Sequence, residues 1–140
     1  SKGVNSRLDE IQASFLRIKL KNLDNDNLYR KKIAKIYNEK IISKKIIKPY
    51  IEINCDSVWH LYVVMVDDRE DFIKYLDSKN IQHIIHYPVP PYRQNAYKEE
   101  FKNPNYPIAD KLASKVISLP IGPHLENREI DYIVETINNY

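Results

Sequence analysis

Over residues 6–23, Leu8, Ile11, Phe15 and Ile18 recur at spacings of three and four, and Leu16, Leu20 and Leu23 widen the stripe. That period predicts an amphipathic helix. The run Asp24-Asn25-Asp26-Asn27 brings side chains that compete with helix backbone for hydrogen bonds, and Tyr29, Ile33, Ile36, Tyr37 and Ile41 then open a second stripe in a new phase. Two consecutive helices with a break between them follow. The first stripe is wider than one small domain needs, so part of it should lie exposed or pair with another copy. Arg30, Lys31, Lys32, Lys35 and Lys40 mark a solvated outer side on the second helix.

The lysine-rich stretch 43–49 has no clear period and ends at Pro49, which reads as a connecting loop. Ile51 and Ile53 suggest a short strand. Residues 59–66, WHLYVVMV, form the β-branched and aromatic run of a central strand covered on both faces. Asp67-Asp68 can cap a helix with Phe72, Ile73 and Leu76 on its inner side, leading into another strand over 81–87. Pro88, Pro90 and Pro91 then force the chain out of the sheet. Pro107 suits the first turn of a helix through Lys115, and 116–119 reads as a short strand stopped by Pro120. Ile130, Ile133, Val134 and Ile137 trace a last helix opened by Glu126. The order α-α-β-β-α-β-α-β-α implies a small α/β sandwich, a sheet of three to four strands packed with helices and preceded by two more.

At 140 residues, the chain has room for one core. Its two glycines, Gly3 and Gly122, cannot build a Gly-rich phosphate loop. Cys55 is the single cysteine, which removes intrachain disulfides and CxxC chemistry and suits the cytosol. It is expected to be buried and inert, because nothing near it in sequence supplies the positive environment that activates a thiol. No apolar run approaches the roughly 20 residues of a bilayer span. A formal net charge of +3 gives little support to a nucleic-acid module despite the lysine-rich second helix. Neither nucleic acid nor a membrane is therefore expected as a partner. The opening Ser-Lys-Gly-Val-Asn has no initiator Met and no apolar signal segment, and reads as a piece of a longer chain.

His83 and His86 form HIIH, but residues three apart on a strand face opposite ways, so no metal site is expected there. His86 is the better candidate for ligand contact. It ends a strand just before a proline-enforced exit, where α/β folds place such contacts. The pairs Asp9-Glu10 and Asp67-Asp68 stand at helix starts, where capping accounts for them. Tyr29, Tyr37, Tyr62, Tyr75 and Tyr132 fall at apolar-periodic or strand positions and are expected to pack in the core. From the residues alone, the chain is an α/β domain with a candidate ligand edge over 86–94.

Three blocks carry a resemblance to a known family. GVNSRLDEIQASFLRIKL (3–20), VWHLYVVMV with NIQHIIHYPVPPYRQNAY (58–66 and 80–97), and VISLPIGPHL (116–125) resemble, in the same order, segments of the DegT/DnrJ-type sugar aminotransferases. These are pyridoxal-phosphate enzymes of the aspartate aminotransferase fold. The resemblance implies that residues 1–140 are the C-terminal small domain with its connecting helix, and that the large domain with the Schiff-base lysine lies outside this chain. None of the lysines here stands in the family's Ser-rich lysine motif, so no catalytic residue is assigned.

The resemblance implies that Asn5 reaches the phosphate of pyridoxal 5'-phosphate in the neighbouring subunit and that Arg7 is an active-site contact beside it. An amide and a guanidinium both donate to phosphate or carboxylate oxygens. It implies His86 and Tyr87 as contacts to a nucleotide-sugar at the interface of a homodimer. The chain departs from the family pattern at Tyr92, where PPY replaces the frequent PPH, and no substrate contact is assigned to that position. Ser14 replaces a frequent alanine on a helix.

The activity implied is amino transfer from L-glutamate to a nucleotide-linked keto-deoxyhexose. The HYP-to-Gln94 spacing looks like the branch that aminates such sugars at the 3-position, in cytoplasmic synthesis of surface polysaccharide, lipopolysaccharide or glycoconjugate. The fragment alone is expected to be inactive. The alternative is a stand-alone, non-catalytic sugar-nucleotide-binding domain.

Overall fold

In a computed structural model of the chain, residues 3, 5, 9–102 and 104–140 are described. Asp9 accepts from the backbone N–H of Gln12 at 2.8 Å and opens helix α1, Glu10–Leu20. Helix α2, Leu23–Lys40, follows almost at once. The break expected at 24–27 falls earlier, at Lys21 and Asn22, and Asp24 and Asp26 occupy the first turn of α2, where their charge suits the positive end of the helix. The expected solvated face also shifts, since Arg30 and Lys31 are half-buried.

Strands β1, Tyr62–Met65, and β2, Val116–Leu119, pair antiparallel with Tyr62 opposite Leu119, Val63 opposite Ser118, Val64 opposite Ile117 and Met65 opposite Val116. Paired residues share a face, so Tyr62, Leu119, Val64 and Ile117 point one way and Val63, Ser118, Met65 and Val116 the other. Single bridges extend this pair on both sides, Ile47 to Met65 and Ile84 to Ser118. Two sequence expectations are corrected here. Ile51 and Ile53 are exposed and form no strand, and the outer bridge comes instead from Ile47 in the stretch read as a loop. The strand expected over 81–87 contracts to the bridge at Ile84.

Three helices cover the aliphatic face. Helix α2 brings Ile33, Ala34 and Tyr37; α3, Arg69–Ser78, brings Phe72 and Leu76; α5, Asn127–Asn138, brings Ile130, Ile133, Val134 and Ile137. Asp68 caps α3 by accepting from the backbone N–H of Asp71 at 2.9 Å. Glu126 and Glu129 close a reciprocal capping box on α5. Helix α4, Pro107–Lys115, ends where β2 begins. It is tied to the start of α3 by Arg69 donating to the Ala113 carbonyl and by Lys115 on Asp67 at 2.5 Å.

Tyrosine hydroxyls join these layers. Tyr37 donates to the Pro120 carbonyl at 2.8 Å, Tyr29 to that of Leu125 at 2.6 Å and Tyr75 to that of Thr136 at 2.9 Å. Each ring packs on apolar neighbours while its hydroxyl reaches a backbone acceptor. Burial pushes the Tyr37 and Tyr62 hydroxyls well above their ordinary pKa, with Tyr62 adding to the effect at Tyr37. Tyr140, desolvated and donating to Asp71 at 2.8 Å, is raised to about 12. The expected core role is met by Tyr37 and Tyr62, and in part by Tyr29 and Tyr75, whereas Tyr132 is half exposed. Cys55, expected to be buried, is exposed.

Helix α1 buries none of its side chains, and Ile11, Phe15, Leu16, Ile18 and Leu20 each have more than half their surface exposed. Replacing Leu16 and Leu20 together by Glu is expected to reduce self-association of the 140-residue chain in sedimentation. An unchanged profile would mean that this face does not drive association. In the core, Phe72→Ala is expected to cost about 3–5 kcal/mol, through lost transfer energy and the cavity left, in chemical denaturation.

Candidate functional site

The site is built where 81–87 leaves the sheet. The bridge to β2 is made by the backbone of Ile84, which accepts from Ser118 N–H at 2.8 Å and donates to the Ser118 carbonyl at 3.4 Å. Two residues on, half-buried His86 sets Nδ1 2.9 Å from the Ser118 hydroxyl. Tyr87 follows, 73% exposed, with its ring edge-on to the imidazole at 5.5 Å between centroids. His86 faces a cavity of about 480 Å3 that is lined by all four histidines of the chain, His60, His83, His86 and His124, together with Asp77, Gln82 and Ser118.

His83 Nδ1 lies 3.7 Å from Asp77 Oδ1. His124 lies over Gly122, where an added Cβ would stand 2.5 Å from the imidazole Cε1, so an alanine at that position would displace the ring. The strand argument that set His83 and His86 on opposite faces does not hold, because 81–87 is not a regular strand and both residues line one cavity. Among the described residues, no group of three or more His, Cys, Asp or Glu side chains is arranged to hold a metal ion.

Beyond Tyr87 the proline-rich exit turns through two short 3-10 turns, Pro91–Arg93 and Asn95–Tyr97. A carboxylate on α4 pins it. Asp110 accepts from Tyr92 Oη at 2.9 Å and from Arg93 Nε and Nη2 at 2.7 and 2.8 Å, a two-pronged guanidinium pair. Tyr92 also packs against Tyr106 at 4.7 Å between ring centroids and meets Phe101 edge-on. The Arg93 and Tyr92 hydrogen bonds hold the Asp110 carboxyl below its ordinary value, while desolvation and then Asp110 raise Tyr92. Tyr92 is therefore a buried anchor of this loop.

Of the four residues singled out in the sequence, His86 lines this cavity and Tyr87 stands against it, outside the lining. Asn5 is exposed, and Arg7 lies outside the described residues. Three contributors went unnoticed. His60 and His124 are distant in sequence from the candidate edge, and Ser118 sits inside an apolar strand run; only the histidine count and the break of that run by a hydroxyl pointed to them.

The donors in hand test the fit to pyridoxal phosphate. The exposed Asn5 amide suits a phosphate oxygen. Every described lysine is exposed or half-buried, and the one buried side-chain polar atom without a partner among the described residues is Arg30 Nε, on α2. The Asn5 amide thus fits a phosphate contact, and the described residues do not by themselves complete a cofactor site.

This helix-covered small sheet has the fold of solved aminotransferases. The chain belongs to the DegT/DnrJ/EryC1/StrS aminotransferase family, whose model matches residues 1–138. It is 48% identical over 139 residues, 99% of its length, to the dTDP-3-amino-3,6-dideoxy-alpha-D-galactopyranose transaminase of Aneurinibacillus thermoaerophilus. It matches the crystal structure of S. venezuelae DesV with a TM-score of 0.87 and 38% identity, covering 99% of this chain. It also matches the putative sugar aminotransferase Spr1654 of Streptococcus pneumoniae in its PMP-form, with a TM-score of 0.81 and 27% identity over 95% of this chain and 35% of that one. The chain spans 38% of the length of both the Aneurinibacillus relative and DesV. Among the described residues no helix is long and apolar enough to cross a membrane.

The tether at Asp110 is present above the ordinary carboxyl value of 3.8 and is lost as pH falls through the lower value the fold gives it. The ring signals of Tyr92, Phe101 and Tyr106 are therefore expected to stay dispersed in NMR spectra down to about pH 4 and to collapse below it. Asp110→Ala should collapse them at neutral pH, and dispersion that survives in that variant would show that the aromatic contacts suffice.

Proposed function

We propose that this chain is the C-terminal small domain, with its connecting helix, of a pyridoxal-phosphate-dependent aminotransferase acting on nucleotide-sugars. The amino donor is L-glutamate and the acceptor a nucleotide-linked keto-deoxyhexose, in the first instance a dTDP-3-keto-6-deoxyhexose. The observation that carries this reading is 48% identity, over 99% of the chain, to a transaminase of a dTDP-3-amino-3,6-dideoxy sugar. The substrate cavity beside His86 and Tyr87 is in keeping with it.

In this reading the cofactor, when bound, supplies the electron sink that lets the donor's amino group be exchanged for the acceptor's carbonyl oxygen. The residues of this chain bind and orient. Asn5 donates its amide to the cofactor phosphate across the interface of a homodimer, and Arg7 beside it contacts a carboxylate or phosphate oxygen in the active site. His86 hydrogen-bonds the nucleotide-sugar, and Tyr87 lays its exposed ring along it. Asp110 keeps the following loop against α4 and so fixes the cavity rim. The Schiff-base lysine belongs to a large domain outside residues 1–140. The enzyme works in the cytoplasm, supplying amino sugars for surface polysaccharide or glycoconjugate.

The test uses the whole protein made from its complete gene. Incubated with L-glutamate and a dTDP-3-keto-6-deoxyhexose, it is expected to yield the aminated nucleotide-sugar by mass spectrometry, whereas residues 1–140 alone yield none. His86→Ala should lower kcat/KM for the nucleotide-sugar about 10- to 100-fold, the cost of one hydrogen bond to a charged or polarised group. Sugar-nucleotide binding by the whole protein without turnover would favour a non-catalytic binding domain, and an unchanged His86→Ala enzyme would remove that residue from the site.

A further inference from the structure

The Ser118 hydroxyl is a polar group in the apolar strand run Val-Ile-Ser-Leu, and the residue is 4% exposed. A strand prefers β-branched residues at such a position, and a buried hydroxyl costs free energy unless it is hydrogen-bonded. Its one side-chain partner is His86 Nδ1, at 2.9 Å. The serine itself cannot yield. Its backbone is locked by both hydrogen bonds to Ile84 on one side and by register with Val63 on the other.

We propose that Ser118 is a positioning residue for His86. A buried hydroxyl proton needs an acceptor, and imidazole Nδ1 is the side-chain acceptor within reach, so in this proposal the hydroxyl donates and the ring proton sits on Nε2. The remaining nitrogen is then an N–H donor with a fixed direction, suited to an oxygen of the nucleotide-sugar and not to a hydroxyl proton. A rigid strand presenting one buried hydroxyl is the kind of support that keeps a binding side chain in a single geometry. The role in substrate binding rests on the reading of His86 given above; the tether and the tautomer do not.

The experiment reads both separately in the whole protein. Long-range proton–nitrogen NMR on histidine-labelled enzyme, with the His86 signals assigned by their loss in His86→Gln, reports which ring nitrogen holds the proton. The expected result is the Nε2–H form in the native protein, a mixture in Ser118→Ala, and restoration in Ser118→Thr, which keeps the hydroxyl. In parallel, kcat/KM for the nucleotide-sugar should fall about five- to tenfold in Ser118→Ala, the worth of one ordinary hydrogen bond, mainly through KM, and recover in Ser118→Thr. A native Nδ1–H form, or a tautomer that ignores Ser118→Ala, overturns the tether. A tautomer that follows Ser118 while sugar kinetics do not change overturns instead the substrate contact at His86, and with it the positioning role.

Discussion

The hydrogen bond from the Tyr37 hydroxyl to the Pro120 carbonyl joins the parts on which everything else rests. The ring of Tyr37 is fully buried, stands edge-on to Tyr62 of β1 at 5.1 Å, and reaches across to the residue just after β2. One side chain of α2 thereby touches β1 and the start of the segment after β2 that leads to Gly122 and His124. A proline carbonyl at a strand end has no ladder partner waiting for it, and a buried acceptor must be satisfied somewhere. Tyr29 repeats the device six residues after the start of α2, on the Leu125 carbonyl. The two bonds seat the 120–125 turn against α2 and so place the wall of the histidine-lined cavity.

The cavity edge is assembled by the same economy. Ile84 spends both backbone groups on Ser118, His86 takes the serine hydroxyl, and the chain then turns away through prolines that have no N–H to offer. Farther along, Asp110 satisfies Tyr92 and Arg93 together. A short sheet thus supports a cavity edge and exit loop with little regular structure, because specific polar contacts hold them.

Much of this was legible in the sequence because it follows from period and punctuation. Strand β2 was bounded by Lys115 and Pro120, α4 by Pro107, and α5 by its Glu126 cap and four aliphatic residues at helical spacing. The first helix break was displaced because Asp24 and Asp26, which suggest an interruption, are also favoured in a first helical turn. Ile51 and Ile53 have strand character but no partner, whereas Ile47, hidden among lysines, finds Met65. Pairing decides a strand, and pairing is not local. The same limit applied to the site. His86 stood out before the prolines and Tyr87 through the family resemblance, but Ser118, His60 and His124 meet His86 only through tertiary contact. Cys55 was misread as buried since composition says nothing of where a single thiol ends up.

Helix α1 leaves its apolar face uncovered in a chain that spans little over a third of its relatives. In the proposed function, this chain offers one rim of a site and the remaining protein the cofactor lysine. The most direct measurement is a crystal structure of the whole protein with the aminated nucleotide-sugar of the proposed reaction bound. The account predicts a ligand oxygen about 2.7–3.2 Å from His86 Nε2, with Nδ1 still on Ser118 and Tyr87 against the ligand. A nucleotide-sugar seated away from His86 and Tyr87, with the histidine-lined cavity empty of it, would contradict the account.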